Sequence, residues 1–306
     1  MNSKKKLPIR IYDKTLREDL KRKMVFIGGP RQVGKTTLSQ SLISDYYPGH
    51  ASYLNWDNSL HRDIINKNEW SKDLPLIIFD EIHKKTDWQT FIKGSYDVWK
   101  DQQNYIITGS ARLDLYRKGG DSMLGRYHYY RLHPYSINEL GNSLENLRKL
   151  LRFGGFPESL LEQNDTFHKR WIRQRTANLV REDLRDLEKI NQIDKVEILA
   201  NLLPSKVASM LSLKSISEDL SISDKTIKNW IQKLESLYYC FQIYPYGTNK
   251  AKSIKKTPKL YLWDWSQVTD EGARFENLVA SQLLKYCHFL EDTMGHNCLL
   301  YTSDAA

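Results

Sequence analysis

The stretch that decides the fold reads Lys23-Met24-Val25-Phe26-Ile27-Gly28-Gly29-Pro30-Arg31-Gln32-Val33-Gly34-Lys35-Thr36-Thr37. An apolar run of strand length ends in two glycines, and residues 29–36 fit the pattern G-x-x-x-x-G-K-[ST]. A helical segment follows, from Thr37 to Leu42. A strand before the glycines and a helix after them are the context that this pattern requires in a phosphate-binding loop. We therefore predict a loop whose backbone amides, together with the helix N-terminus, point at phosphate oxygens.

The side chains of this loop indicate a nucleotide and a divalent cation. Lys35 is a mobile point charge that would reach the β- and γ-phosphates. The hydroxyl of Thr36 is a hard oxygen ligand of the kind that suits Mg²⁺. We predict ATP and Mg²⁺ as cofactors. The predicted nucleotide-binding residues are Gly29, Pro30, Arg31, Gln32, Val33, Gly34, Lys35, Thr36 and Thr37.

A second apolar run, Leu76-Ile77-Ile78-Phe79, ends in Asp80 and Glu81. A buried strand that ends in two acids places both carboxylates at the carboxyl edge of its sheet, where ligands of such folds bind. We predict that Asp80 holds the metal together with Thr36. Glu81 is then the residue that orients and polarises the attacking water.

Two further segments supply candidate catalytic residues. The strand-like run Tyr105-Ile106-Ile107 ends in Thr108-Gly109-Ser110, and in such a sheet it would lie next to the first strand. Thr108 or Ser110 then contacts the γ-phosphate or the water, although either residue serves equally well as a strand cap. Arg126 precedes an aromatic strand; it is either a surface arginine or a guanidinium that stabilises the transferring phosphoryl group, in cis or from a neighbouring subunit.

The order of the segments predicts an α/β fold. Strand-length apolar runs alternate with helical patterns in the first half, which is typical of a parallel sheet covered on both faces. From about residue 137 onward, polar segments with helical periodicity take over, such as 167–190 and 193–211. Residues 154–157, Gly-Gly-Phe-Pro, predict a turn between helices. The predicted strands are 23–27, 52–55, 76–79, 105–107 and 127–132.

Composition excludes several classes of protein. The chain has 306 residues, of which 40% are hydrophobic and 27% are charged, so it is too apolar to be disordered. Its three cysteines form no CxxC pair, which excludes a disulfide scaffold and a cysteine zinc site and fits a reducing compartment. No apolar run approaches the ~18 residues of a membrane helix. We therefore expect a cytoplasmic protein with no membrane partner.

Positive charge is concentrated in part of the second half. Residues 225–260 contain eight lysines and one acid, Glu235. Helices at 215–220 and 224–237 with a turn at 221–223, then strands at 238–244 and 260–263 around a lysine-rich loop (250–259), follow the winged-helix plan. Three interpretations stay open: a solvated lysine surface, a protein-docking module, or contact with double-stranded DNA. The candidate nucleic-acid residues are Lys225, Lys228, Asn229, Lys252, Lys255 and Lys256.

These motifs resemble those of AAA+-type P-loop ATPases, and more narrowly those of the prokaryotic family that pairs an AAA module with a C-terminal domain of unknown function. The resemblance implies a Walker A motif at 29–36, a Walker B motif at 76–81, a sensor-like strand at 105–110, an arginine-finger candidate at Arg126 and a possible homo-oligomer. The matching residues are 29–37, Asp80-Glu81-Ile82-His83-Lys84, Thr108-Gly109-Ser110-Ala111-Arg112, Gly125-Arg126-Tyr127, His133-Pro134-Tyr135-Ser136 and Gly154-Gly155-Phe156-Pro157-Glu158.

The second half resembles the C-terminal region of the same family. There the resemblance implies a winged helix followed by the start of a restriction-endonuclease-like region. The last ten residues, 297–306, resemble translated sequencing-adapter read-through, so we expect them to be non-native and the last domain to be cut off in its first helix. The matching residues of this half are Arg181-Glu182-Asp183-Leu184, Pro258-Lys259-Leu260-Tyr261, Asp264 and Phe275-Glu276-Asn277-Leu278-Val279-Ala280.

The expected protein is a Mg²⁺-dependent ATPase that couples its nucleotide state to a C-terminal module, for which DNA binding and protein docking both stay open. The alternative is a nucleotide-dependent DNA-binding switch with little turnover, and a small-molecule P-loop kinase is a weaker third. We expect an ATPase core at 1–140, a helical region at 141–205, a winged helix at 206–265, the start of a further domain at 266–296 and a non-native tail at 297–306.

Overall fold

The computed structural model describes residues 8–109, 123–184, 192–246 and 256–301. The described chain divides into two compact units. One consists of Pro8–His133 together with Phe289–His296, and the other consists mainly of Pro134–His288. Within the described ranges, no helix is both long enough and apolar enough to cross a membrane.

The first unit is built on a parallel sheet of five strands in the order β2-β3-β4-β1-β5. The strand bounds are β1 Met24–Gly28, β2 Ala51–Asn55, β3 Leu76–Asp80, β4 Asn104–Thr108 and β5 Tyr127–Arg131. All five predicted strands are present, and β4 lies beside β1 as expected. The predicted α/β fold with a parallel P-loop sheet is therefore confirmed.

The inner strands of this sheet are apolar and buried. Every residue of β1 and β3 is buried, which is the pattern of parallel strands with both faces covered. Four helices surround them: α1 Asp13–Leu20, α2 Lys35–Tyr46, α3 Ser59–Lys67 and α4 Trp88–Trp99. In α4 the residues Trp88, Ile92 and Tyr96 recur every fourth position, so they share the face that packs on the aromatic core.

The second unit begins with short helices. Their bounds are α5 Ile137–Leu140, α6 Leu144–Phe153, α7 Pro157–Glu162, α8 Asp165–Asn178 and α9 Ile193–Leu202. The predicted turn at 154–157 lies between α6 and α7. A Cβ on Gly155 would come within 2.6 Å of the backbone oxygen of Tyr135, so this position has room only for glycine.

The predicted helical segment 193–211 is wrong in its second part. Helix α9 ends at Leu202 and gives way to a 3₁₀ turn over Leu203–Lys206. Pro204 has no amide hydrogen for a helical hydrogen bond, which breaks the α-helical pattern at this point. Beyond the 3₁₀ turn the chain is not helical: Val207 and Met210 form single β-bridges to Leu260 and Lys259, and Ala208 between them has a φ of +64°.

A helix–turn–helix pair and a two-stranded sheet follow. Their elements are α10 Leu213–Leu220, α11 Asp224–Ser236, β6 Cys240–Ile243 and the antiparallel β7 Lys259–Leu262. Ser223 caps α11, since its hydroxyl accepts from the Thr226 amide at 3.2 Å. The lysines of the predicted loop at 252 and 255 lie outside the described residues, and the winged-helix assignment stays a prediction.

The last helix, α12, runs from Glu271 to Met294. In the second unit its Asn277 is fully buried and pairs with the backbone of β7. The Asn277 Oδ1 accepts from the Leu262 amide at 2.9 Å, and its Nδ2 donates to the Leu262 carbonyl at 2.8 Å. One side chain thus pairs with both backbone groups of Leu262 at the edge of the two-stranded sheet, and its Nδ2 also donates to the buried Ser281 hydroxyl one turn further along the helix, at 3.2 Å.

Asn277→Ala should lower the free energy of unfolding by about 2 kcal/mol, because it leaves the buried Leu262 amide without its acceptor and removes one of the two side-chain donors to the Leu262 carbonyl, the other being the Ser281 hydroxyl at 3.4 Å. Chemical denaturation monitored by tryptophan fluorescence measures the change. Val279→Ala is the matched control, since Val279 lies on the same helix and is 39% exposed. Equal stability of the two variants would show that the pairing contributes nothing.

Candidate nucleotide site

The carboxyl ends of the parallel strands bring the predicted site residues to one edge of the sheet. Thr108 is the register partner of Ile27 on one side and of Asp80 on the other. The residues after β1, from Gly29 to Gly34, form the loop that leads into α2. The loop, Asp80 and Thr108 therefore converge, as the sequence predicts.

The loop has the backbone conformation of an anion-binding turn. Gly29 has a φ of +137° and Gly34 a φ of +98°, and a Cβ on Gly29 would come within 2.4 Å of the Leu132 oxygen. Gln32 also adopts a positive φ, +62°. Alternation of right- and left-handed residues turns successive amides toward one point. Lys35, the first residue of α2, is buried, and its Nζ donates to the carbonyls of Gly29 and Pro30 at 3.0 and 2.9 Å.

Arg10 holds the loop in place, a role that the sequence did not predict. Its buried guanidinium donates to the Val33 carbonyl at 2.5 Å and to the His133 carbonyl at 3.0 Å. The two carbonyls lie in the phosphate-binding loop and just after β5, so Arg10 ties these segments together. An isolated arginine ahead of α1 carries no pattern that would have revealed this role.

Asp80 is the centre of the site. Its Oδ2 accepts hydrogen bonds from the Thr36 hydroxyl at 2.8 Å and from the Tyr53 hydroxyl at 2.6 Å. Its Oδ1 accepts from the Thr108 hydroxyl. The structure thus joins three predicted residues and adds Tyr53, which sequence reasoning missed. Burial raises the pKa of Tyr53, and the hydrogen bond to Asp80 raises it further, so the phenol stays a donor.

Glu81 lies immediately beyond Asp80 in a strained backbone conformation. Its φ is +57°, which is uncommon and costly for a residue with a side chain. The Glu81 amide donates to the Thr108 carbonyl at 3.0 Å, and this bond fixes the turn. The carboxylate Oε2 lies 3.6 Å from His83 Nε2 and 3.7 Å from Lys84 Nζ. Burial raises the pKa of Glu81, while the charges of Lys35 and Lys84 oppose that rise.

The donor set fits magnesium. The Thr36 hydroxyl and the Asp80 carboxylate are hard oxygen groups that already lie within hydrogen-bond distance of each other. Among the described residues, no group of three or more His, Cys, Asp or Glu side chains would hold a metal by protein ligands alone. A cation held by one or two protein oxygens together with phosphate oxygens is the arrangement that Mg²⁺ prefers.

The predicted catalytic residue Arg126 is not brought to this edge. Ser110 lies outside the described residues. Arg126 immediately precedes β5, and its carbonyl accepts from the amide of Met24, the first residue of β1. It therefore lies at the amino edge of the sheet, opposite the loop, where its guanidinium pairs with Asp97 at 2.8 Å. This geometry excludes action in cis, and action across a subunit boundary stays a prediction.

Tyr53→Phe should lower the free energy of unfolding by about 1–2 kcal/mol, because a hydroxyl bonded to a carboxylate is lost. In a double-mutant cycle with Asp80→Ala, the same change should cost much less, since the acceptor is already absent. Denaturation of the four proteins measures the coupling. Additive effects would show that the Tyr53–Asp80 contact carries no energy.

Two family models match the chain. Residues 21–141 match an AAA domain, and residues 144–269 match a domain of unknown function (DUF8612). An uncharacterized protein of Methanocaldococcus jannaschii is 25% identical over 297 residues, covering 85% of this chain and 66% of that protein. An uncharacterized protein of Mycobacterium bovis is 24% identical over 245 residues, covering 79% of this chain and 54% of that protein. The chain thus spans between about half and two thirds of the length of these two relatives.

Solved structures show weaker likeness. The Thermotoga maritima RuvB Holliday junction branch migration motor is 15% identical, with a TM-score of 0.38, covering 77% of this chain and 90% of that one. The Saccharomyces cerevisiae Hsp104:casein complex is 15% identical, with a TM-score of 0.33, covering 75% of this chain and 50% of that one. Residues 21–141, which contain the sheet and its glycine-rich loop, are thus similar to an AAA domain, and the region that follows is similar to a domain of unknown function.

Proposed function

We propose that the protein binds ATP with Mg²⁺, hydrolyses it, and couples its nucleotide state to its C-terminal half. One observation carries the proposal: the hydroxyls of Thr36 and Thr108 both bind the Asp80 carboxylate, and Glu81 follows directly. The similarity of residues 21–141 to an AAA domain supports nucleotide binding in general.

Each residue of the site has a distinct task in this proposal. The backbone N–H groups of residues 29–36, apart from Pro30, bind the phosphates together with the Lys35 ammonium. Lys35 leaves the carbonyls of Gly29 and Pro30 to do so. Thr36 and Asp80 hold Mg²⁺, which neutralises charge on the phosphate oxygens. Tyr53 and Thr108 orient the Asp80 carboxylate through their hydroxyls.

Glu81 orients and polarises the attacking water. Its position beyond the end of β3 and its positive φ turn the side chain away from the strand direction. Water is activated by the ionised carboxylate, which Lys35 and Lys84 favour against the effect of burial. A strained residue held at such a place is typical of functional sites.

A nucleotide-dependent DNA-binding switch with little turnover is the second candidate. The observation that favours it is the exposed polar face of α11, where Lys225, Lys228 and Asn229 are all exposed. In this alternative the site binds ATP in the same way, but Glu81 contributes little to turnover. Phosphate release measured with and without duplex DNA distinguishes the two candidates.

Lys35→Ala should abolish ATP binding, whereas Glu81→Gln should retain it and stop turnover. The first change removes the cation that faces the β- and γ-phosphates, and the second keeps the shape of the side chain but removes the charge that polarises water. Calorimetry gives the dissociation constants and a phosphate-release assay gives the rates.

Two results would contradict these roles. An unchanged dissociation constant for Lys35→Ala would reject the loop as the phosphate site. Hydrolysis by Glu81→Gln at the wild-type rate would reject Glu81 as the catalytic residue. A wild-type protein that binds ATP without measurable phosphate release, with or without DNA, would favour the switch.

Arg126→Ala should bind ATP normally and hydrolyse it poorly, because a neighbouring subunit then lacks the guanidinium that stabilises the transition state. Specific activity of the wild type should rise with protein concentration. Mixing Arg126→Ala with Lys35→Ala should restore activity, since one mixed interface joins an intact loop to an intact Arg126. Phosphate release across a concentration series measures both effects.

The control for this experiment is Arg22→Ala, an exposed arginine of the same unit that lies outside the site. It should show wild-type turnover at every concentration. Turnover that does not depend on concentration, together with no rescue on mixing, would remove Arg126 from the catalytic machinery.

A further inference from the structure

Helix α11 presents one continuous polar face. Lys225, Lys228, Asn229 and Gln232 are exposed, and they follow the spacing i, i+3, i+4, i+7 that places side chains on one side of a helix. The opposite side is buried and apolar, with Ile227, Trp230, Ile231 and Leu234. The helix is therefore held by its apolar side and offers its polar side to a partner.

Two clefts flank this face, and each contains three lysines. The first, of about 540 Å³, is lined by Lys195, Lys225 and Lys233 together with Asn229. The second, of about 550 Å³, is lined by Lys214, Lys228 and Lys256 together with Gln232. Each cleft thus shares residues with the exposed face and extends from it to other segments of the chain.

The charge of the clefts is strongly positive. Of the described residues that line the first cleft, none is acidic; the second contains one acid, the half-buried Glu235. Two exposed acids lie beside the first cleft: Asp194, next to Lys195, and Asp224, at the start of α11. Six lysines and one acid thus line the two clefts, so their lining attracts a polyanion.

We propose that the two clefts hold the two phosphate backbones that border the major groove of duplex DNA, with α11 lying in the groove between them. An α-helix with its side chains is about 10–12 Å across, and the major groove of B-DNA is about 12 Å wide. The proposal adds Lys195, Lys214 and Lys233 to the candidate contacts. Only the link between DNA binding and the nucleotide state rests on the proposed function.

The side chains between the two clefts favour a ligand with a readable groove over a polyanion that offers only phosphates. Asn229 and Gln232 lie on the central face, and amide side chains pair with the adenine edge that the major groove exposes. An A-form RNA duplex has a deep, narrow major groove that admits no helix. Duplex DNA should therefore bind more tightly than duplex RNA of the same length.

The test measures binding of a fluorescent 20-base-pair DNA duplex of mixed sequence by anisotropy, without nucleotide, across a salt series. Without nucleotide, the result does not depend on whether the P-loop hydrolyses ATP. The variants change all three lysines of one cleft to glutamine: Lys195, Lys225 and Lys233, or Lys214, Lys228 and Lys256.

Each triple variant should reduce the slope of log affinity against log salt by about 2.7, since each lost phosphate contact contributes about 0.9. The combined sixfold variant should lose the sum of the two. The matched control changes Lys169, Arg170 and Arg173 of α8 to glutamine, which removes the same charge from exposed positions of the same unit. Its slope should stay close to that of the wild type.

Several outcomes would overturn the proposal. They are wild-type binding that is absent at low salt, equal affinity for duplex RNA and duplex DNA, or a control variant that loses as much slope as the cleft variants. The comparison of DNA with RNA uses the wild-type protein alone, so it stays decisive even where a triple variant fails to fold. If the DNA-binding proposal fails these tests while phosphate release is normal, the ATPase proposal is unaffected.

Discussion

The Asp80 carboxylate connects four elements of the first unit. It ends β3 and accepts hydroxyl hydrogen bonds from Thr36 on α2, Tyr53 on β2 and Thr108 at the end of β4. A carboxylate shared by three donors fixes the distance from the phosphate-binding loop to the middle of the sheet. It also keeps the oxygen atoms that suit Mg²⁺ in place before any ligand binds, which reduces the cost of ordering the site.

Two residues at this edge of the sheet hold an uncommon backbone conformation. Gln32 in the loop and Glu81 after β3 both adopt positive φ, at 62° and 57°. Such residues persist where surrounding hydrogen bonds determine the conformation. Here the Glu81 amide bonds to the Thr108 carbonyl, and Arg10 binds the Val33 carbonyl of the loop. The same sheet edge thus carries both the strain and the contacts that maintain it.

The sequence predicts what depends on local pattern. The five strands follow from apolar runs, and the loop follows from glycines between a strand and a helix; Asp80 and Thr108 meet because both end parallel strands. Tyr53 and Arg10 were not predictable, since their roles depend on which distant residue each one meets in the folded chain. The end of α9 at Leu202 was not predicted because the apolar spacing of residues 203–211 also fits a helix, and only the bridges of Val207 and Met210 to β7 decide against one.

A crystal structure of the protein with Mg²⁺ and a non-hydrolysable ATP analogue tests the nucleotide site directly. We expect one nucleotide whose phosphates lie against the backbone N–H groups of residues 29–36, apart from Pro30, with Lys35 Nζ moved from the carbonyls of Gly29 and Pro30 onto the β- and γ-phosphates. Mg²⁺ should then lie beside the Thr36 hydroxyl and Asp80. A nucleotide bound elsewhere, or Lys35 still on the two carbonyls, would show that this loop is not the phosphate site.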